Sequence, residues 1–432
     1  MENKIQIPPK VEKITVEACR YLLAGVFIFS GYVKALDPWG VIYKNLDYFE
    51  ALGLSFFDFI AVPFAFFLSA LEFAMGICLL LGIYRRINSW LFLLFMLFMT
   101  PFTLYLAITN PVTDCGCFGE AVIISNWQTF FKNVILLLVA VVVFFGYKRM
   151  TPFFSSKSRV LAMVWIWLFI LGFSIHCYRY LPILDFRPYK IGADIPALME
   201  IPEDAEHDVY ESVLVYAKDG KNQEFTLENY PKDDDSWTFV DSRNKLIKKG
   251  YEPPVHDFVI LTEDDEDITD MVLENSSYTF LLVAYKLNKA NDSNVNKINN
   301  IYDYATEHGY DFYALTSSLP DVIQEWQEDT GAEYPFCTMD EITLKTIIRS
   351  NPGLVLMKEG IIINKWPFRR LPDMSSLNEP LEDSTLGQIP VNHSVRNVIL
   401  SALILLIPLV TLFLLDFFRY RKREKKFHKT NK

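Results

Sequence analysis

The chain has 432 residues, enough for two or three domains, of which 51% are apolar and 15% aromatic, with a formal net charge of −11. Residues 181–395 hold 40 of the acids and 18 of the bases, a net of −22, against +11 for the remainder. So acidic a segment repels phosphates, so no nucleic-acid partner is expected, and the apolar excess is too local for a purely soluble protein.

Apolar runs at 14–36, 57–83, 87–109, 128–147, 160–181 and 396–417 each approach the roughly 20 residues that cross a bilayer as a helix. Six spans in contact with the lipid bilayer are expected. The first is too long for a cleaved signal peptide, follows a polar lead and precedes no small-x-small site, so it is expected to stay. Lys4, Lys10 and Lys13 precede the first span, and Arg85 and Arg86 separate the second from the third. Lys148, Arg149, Lys157 and Arg159 separate the fourth from the fifth, and the tail RYRKREKKFHKTNK follows the sixth. The positive-inside rule puts all of these on the cytoplasmic side, with both termini. The loops 37–56 and 110–127 and the acidic segment 182–395 then lie outside.

Charges inside spans are costly and mark candidate sites. Arg20 and Glu72 are the clearest, and counting at ~1.5 Å per residue from the run ends gives them similar depths. An Arg20–Glu72 ion pair across the bundle is expected. It serves either to fix helix register or to form a polar site for a membrane quinone or a proton.

TDCGCFGEA, 113–121, joins the third and fourth spans on the outer side. A Cys115–Cys117 disulfide would close a very small, strained ring, and strained exposed disulfides are the labile, catalytic ones. Gly116 tolerates the backbone angles such a ring needs. Asp114 would raise the thiol pKa by like-charge repulsion or accept a proton. Cys177, near the outer end of the fifth span, is the candidate resolving partner. Two other readings stay open: a zinc site of Cys115, Cys117, His176 and Cys177, and a plain structural turn. Cys19 and Cys78, inside spans, read as small hydrophobes. Cys337 reads as a semi-buried structural thiol, with a docking thiol for Cys115 or Cys117 as the alternative.

Within the outer segment, SVLVYAKDGKNQEFTL suggests a hairpin turning at Asp219-Gly220, KDDDSW a polar loop, and TEDDEDITD at 262–270 a solvated acidic edge. Beyond 254 strands and helices alternate. HDFVIL, YTFLLVAYKL and DFYALTSS read as strands. VNKINNIYDYATEHG, closed by Gly309, and DVIQEWQEDTG read as helices. NPGLVLMKEG and IIINKW read as a hairpin turning at Glu359-Gly360. LPDMSSLNEPLEDSTLGQIPVNHS, 371–394, reads as a Pro/Ser/acid-rich tether that holds the domain close to the bilayer.

CRYLLAGVFIFSGYVKALDP at 19–38, ALEFAMGICLLLGIYRR at 70–86 and the DCGCFG loop resemble the DoxX/MauE superfamily of four-helix membrane proteins, over about 14–148. The resemblance implies a diderm bacterial host, hence an inner-membrane protein with its large domain in the oxidising periplasm, and thiol chemistry with quinone involvement. Residues 254–372 resemble the thioredoxin-like domains of TlpA and peroxiredoxin type, with Asn351-Pro352 in the place of their cis-proline. Where active members carry a cysteine after the first central strand, this chain reads KLNKAND. Their redox activity is therefore not carried over.

The organisation expected is a four-helix DoxX/MauE-like bundle at 1–150, a fifth span at 151–183 and a small β-rich segment at 184–253. A degenerate thioredoxin-like domain at 254–372, a tether at 373–395, and a sixth span with basic tail at 396–432 complete it. The function expected is a thiol–disulfide oxidoreductase or relay using Cys115, Cys117, Cys177 and Asp114, exchanging electrons with a quinone near Glu72 and Arg20. Its partner would be a periplasmic thiol protein. The competing expectation is a non-enzymatic scaffold whose thioredoxin-like domain binds a client during envelope assembly.

Overall fold

The computed structural model describes residues 9–430 other than 113, 208, 219, 220, 233, 235 and 249; the side chains of Pro9, Leu246 and 420–430 also lie outside the described set. The expected turn at Asp219-Gly220, part of KDDDSW, Thr113 and the basic tail's side chains therefore lie outside the described residues. Helices long and apolar enough to span a membrane cover Lys10–Leu36, Ser55–Leu80, Arg85–Thr109, Asn126–Arg149, Ser156–Arg179 and Ser394–Arg419. This is a multi-pass membrane protein, and its lipid-facing surface is studded with exposed Phe, Leu and Ile.

The bundle comprises α1 (Pro9–Leu36), α2 (Pro38–Ala51), α3 (Ala61–Leu80), α4 (Arg85–Thr109), α5 (Asn126–Gly146) and α6 (Ser156–Arg179). The short α2 occupies what the sequence suggests is an outer loop. Asp37 caps it by accepting from the Gly40 backbone N–H at 3.0 Å, and Pro38 supplies the preset first turn. α5 starts with a capping box between Ser125 and Gln128.

Antiparallel packing of α1 on α3 decides where the buried charges meet. A Cβ on Gly31 would fall 2.3 Å from the Phe73 backbone nitrogen, and one on Gly76 2.8 Å from that of Ile28. Only glycine allows that approach, and it locks one register. Arg20 is thereby laid against the far end of α3, donating to the carbonyls of Leu79 at 2.8 Å and Leu80 at 2.6 Å, and pairing with Glu17 at 2.8 Å. The expected Arg20–Glu72 pair does not form. Glu72 lies about 10 Å farther along α3, at 1.5 Å per residue. Depths counted from the ends of apolar runs miss this because α1 starts at Pro9 and α3 at Ala61.

The outer segment opens with α7 (Ile195–Met199) and a three-stranded antiparallel sheet, ordered β2-β1-β3, of β1 (Val209–Lys218), β2 (Lys221–Thr226) and β3 (Thr238–Lys248). Then come α8 (Thr269–Leu273), β4 (Tyr278–Val283), α9 (Val295–His308), β5 (Asp311–Thr316), α10 (Pro320–Thr330), β6 (Phe336–Thr338), α11 (Glu341–Ile347), β7 (Gly353–Lys358) and β8 (Ile361–Pro367). The five-stranded sheet runs β6-β5-β4-β7-β8, with β4, β5 and β6 parallel and the β7–β8 hairpin antiparallel. A βαβ unit followed by a helix and a hairpin is the thioredoxin-like arrangement, and the Asn351-Pro352 bond is cis. Every residue of β4 is buried, as a strand covered on both faces requires. Gly309 closes α9 in the left-handed region as expected.

Two expectations fail here. HDFVIL makes no ladder: only Leu261 bridges, to Thr338 and Asp267. Its Phe258 and Ile260 are core residues all the same, and β6 takes the edge beside β5. The tether is a packed strap, because its leucines have a groove to fill. Leu371, Leu377 and Leu381 join the domain core, and Tyr278 and Tyr304 donate to the carbonyls of Gly387 and Glu379. It leads into α12 (Ser394–Thr430), which packs on α6.

Candidate functional site

The cysteine loop is built by its own short-range chemistry and then held on three sides. Gly116 sits at φ +63, a conformation that favours glycine, and a Cβ there would press on the Lys44 side chain at 3.1 Å. Asp114 accepts from the Gly116 N–H at 2.8 Å with one oxygen and pairs with Lys44 of α2 at 2.9 Å with the other. Tyr48 of α2 donates to the Cys115 carbonyl at 2.9 Å. From α1, Ser30 lies 2.7 Å from the Cys117 carbonyl, and Lys132 of α5 stacks on the Phe118 ring at 4.3 Å. The result brings the Cys115 and Cys117 Sγ atoms to 2.9 Å, as two free thiols.

The two thiols are not equivalent. The hydrogen bond from Cys115 holds the Cys117 thiol below its usual range against the cost of burial, and the positive charges of Lys132 and Lys34 add to the effect. Cys115 is pushed up, first by that same hydrogen bond and then by burial. The surroundings therefore favour ionisation of Cys117 before Cys115. Asp114 is held by two contacts. Its charge is offset by Lys44 and its second oxygen is engaged by the loop, so its role is to shape the turn.

Behind the thiols lies a cavity of about 470 Å³ whose apolar wall includes Phe27, Phe95, Met99 and Phe102. Both cysteines, Lys34, Glu72 and Lys132 line it. Phe64 and Phe67 of α3 and Phe98 of α4 also line it while being 40%, 52% and 69% exposed on the surface that faces lipid. Its polar end is a buried pair: Lys34 Nζ lies 2.6 and 2.8 Å from the two Glu72 oxygens, with the side chains only 7% and 6% exposed. Lys34 also donates to Ser30 Oγ at 3.0 Å, and the Ser30 hydroxyl has both Glu72 Oε2 and the Cys117 carbonyl at 2.7 Å. A hydroxyl has one proton, so it serves one of them at a time. The ion pair and the cysteine loop are therefore joined through a single switchable donor.

Of the residues singled out by sequence, Cys115, Cys117, Asp114 and Glu72 meet at this cavity and Arg20 and Cys177 do not. Arg20 belongs to the opposite end of α3, as above. Cys177 is buried within α6, outside the cavity lining, so the resolving role expected for it has no geometric support. Among the described residues no three His, Cys, Asp or Glu side chains are placed to hold a metal, so the set of Cys115, Cys117, His176 and Cys177 is not assembled. Cys337 is a core residue of β6, 3% exposed, and burial pushes its thiol up to about 11. It is no docking thiol. Lys34, Ser30, Lys132, Tyr48 and Lys44 were missed. Asp37-Pro38, a cap followed by a first-turn proline, signals α2 and so the last two.

The α/β domain docks on α2. Arg349, 4% exposed, makes a forked contact with Asp37, with Nε at 3.0 Å and Nη2 at 2.8 Å from Oδ2. Burial alone would raise Asp37, but Arg349 and Arg187 hold it below the usual carboxylate range. Tyr285, which follows β4 where active thioredoxins carry cysteine, packs edge-on against Tyr43 of α2 at 5.9 Å. The face left vacant of redox residues is thus docked onto the membrane domain.

Fold and site define a polytopic membrane bundle with a dithiol in the loop between α4 and α5, carrying a thioredoxin-like domain. Residues 12–146 match the family of methylamine utilisation protein MauE, so the part of the bundle that bears the dithiol is MauE-like. Residues 210–249 match a domain of unknown function, DUF8463, over the three-stranded sheet. Two solved structures are similar over 28% of this chain. One is a candidate protein disulfide isomerase from Bacteroides thetaiotaomicron (17% identity, 80% of that chain, TM-score 0.24). The other is the thioredoxin domain of a thiol-disulfide oxidoreductase from Bacteroides vulgatus (12%, 88%, 0.23). The thioredoxin-like assignment rests on strand order, not on these likenesses. No curated protein matches the sequence.

Proposed function

We propose that this protein is a thiol–disulfide oxidoreductase of a bacterial inner membrane, with both termini cytoplasmic and the dithiol and α/β domain in the periplasm. The observation that carries the reading is the 2.9 Å contact of two unlike thiols at the wall of an apolar cavity beside a buried ion pair. The thiolate of Cys117 attacks the disulfide of a thiol client, forming a mixed disulfide and releasing one client sulfur as thiolate. Cys115 passes its proton to that released thiolate, attacks Cys117 Sγ and expels the second client sulfur. The client gains two electrons and the pair becomes a disulfide; the reverse sequence oxidises a client. The charge pattern along the chain supports the orientation.

A membrane quinone would fit the cavity: Phe27, Phe95 and Phe102 would hold its ring, and Lys34 and Lys132 would be available to its carbonyl oxygens. When bound it takes up or supplies two electrons and two protons. In that site Lys34, Glu72 and Ser30 hold the proton next to Cys117. Docking of the Tyr285 face on α2 favours a lid role for the thioredoxin-like domain over client recruitment through that face.

The test is trapping in intact cells. Cys115→Ser leaves the attacking thiolate without its resolving partner, so disulfide-linked client adducts should accumulate on Cys117. Absence of any adduct with Cys115→Ser and with Cys117→Ser alike would refute the reading.

A further inference from the structure

The bundle end opposite the cysteine loop has a second concavity, of about 680 Å³, where the start of α4, the end of α5 and the start of α6 meet. Arg85, Arg86, Lys148 and Arg159 line it together with Tyr84 and Ile87. Among the described residues none of these four cations is in an ion pair, whereas the adjacent Arg149 is paired with Glu12. Asp416, the acid at this end of α12, is engaged by Ser155 and Ser158. Arg159 lies over the Tyr84 ring at 5.8 Å and gives one N–H to Ser156, yet its Nε is enclosed with no partner. An enclosed charged donor without an acceptor, among three further cations, is unfavourable unless an anion completes it.

We propose that this concavity binds the phosphate-bearing headgroup of an acidic phospholipid. The surroundings favour a lipid as the source of the anion. Ile87, Trp90 and Phe145 beside it are 60%, 46% and 75% exposed, an apolar apron on which acyl chains would lie and for which a soluble phosphate has no use. The general excess of basic residues on one side of a membrane requires neither a concavity nor an enclosed, unsatisfied Nε. The site is independent of the redox reading, since it lies at the other end of the bundle.

The test is lipid binding to the full chain in neutral detergent, read by native mass spectrometry with phosphatidylglycerol, with phosphatidylcholine, and with inorganic phosphate as competitor. Phosphatidylglycerol should bind saturably and phosphatidylcholine should not. At about five-fold per cation, Arg86→Gln/Lys148→Gln should weaken binding about 25-fold. Both side chains are exposed, so the fold should survive, which gel filtration checks. Lys157→Gln, at the same end but outside the concavity, should change nothing. Equal weakening by Lys157→Gln would mean diffuse attraction and overturn the proposal. So would equal binding of phosphatidylcholine, or full displacement by millimolar phosphate.

Discussion

A lysine 7% exposed beside a glutamate 6% exposed keeps its charge inside a helical bundle only because each offsets the other's desolvation. Removing one partner should therefore cost far more than removing both. Lys34→Met should lower stability by about 3–5 kcal/mol, and Lys34→Met/Glu72→Leu should recover most of it, as measured by thermal unfolding in lipid nanodiscs. The two thiols make a second expectation at this scale. Cys117 is lowered from an ordinary thiol value of about 8.5, so its thiolate persists at neutral pH. Its alkylation should slow only as the pH falls through that lowered value, while Cys115 should stay unreactive until the medium is strongly alkaline. Lys132→Gln should move the Cys117 profile to higher pH. Identical profiles for the two cysteines would contradict the assignment.

At the scale of elements, α2 is the hinge between bundle and domain, because Asp37 both caps it and receives Arg349. Arg349→Met should leave Asp37 buried without its cation and free the domain. Hydrogen exchange in 38–51 should rise and Cys117 alkylation accelerate, with β4 protection unchanged. The contact also has a pH limit. Since Asp37 is depressed in the folded state, its stabilisation is complete above the unfolded value of 3.8 and is lost as pH falls through the folded one. The six spans, the βαβ unit and the β7–β8 hairpin were legible in sequence, because their periodicity and end signals are local. The Arg20–Glu72 error was of another kind. Depth along a span says nothing of helix register, which Gly31 and Gly76 set through backbone approach. Lys34 was hidden for the same reason: only the register lays Ser30 and Lys34 of α1 against Glu72 of α3. The strap at 371–394 read as a tether because its leucines are too widely spaced to form a periodic face.

For the whole molecule, the proposed function divides the work of one site between membrane bundle and thioredoxin-like domain. The bundle supplies the thiols, the buried ion pair and an apolar cavity with aromatic residues facing lipid. The domain, with no cysteine in the KLNKAND stretch after β4, is held against α2 by Arg349 and Tyr285. The most direct test is a redox titration of the full chain in nanodiscs across thiol–disulfide buffers, with peptide mapping of alkylated thiols at each point. The expected result is one reversible two-electron transition in which Cys115 and Cys117 alone lose their thiols together, joined to each other, while Cys19, Cys78, Cys177 and Cys337 stay reduced. Cys115 and Cys117 remaining free thiols at every buffer ratio would contradict the central claim.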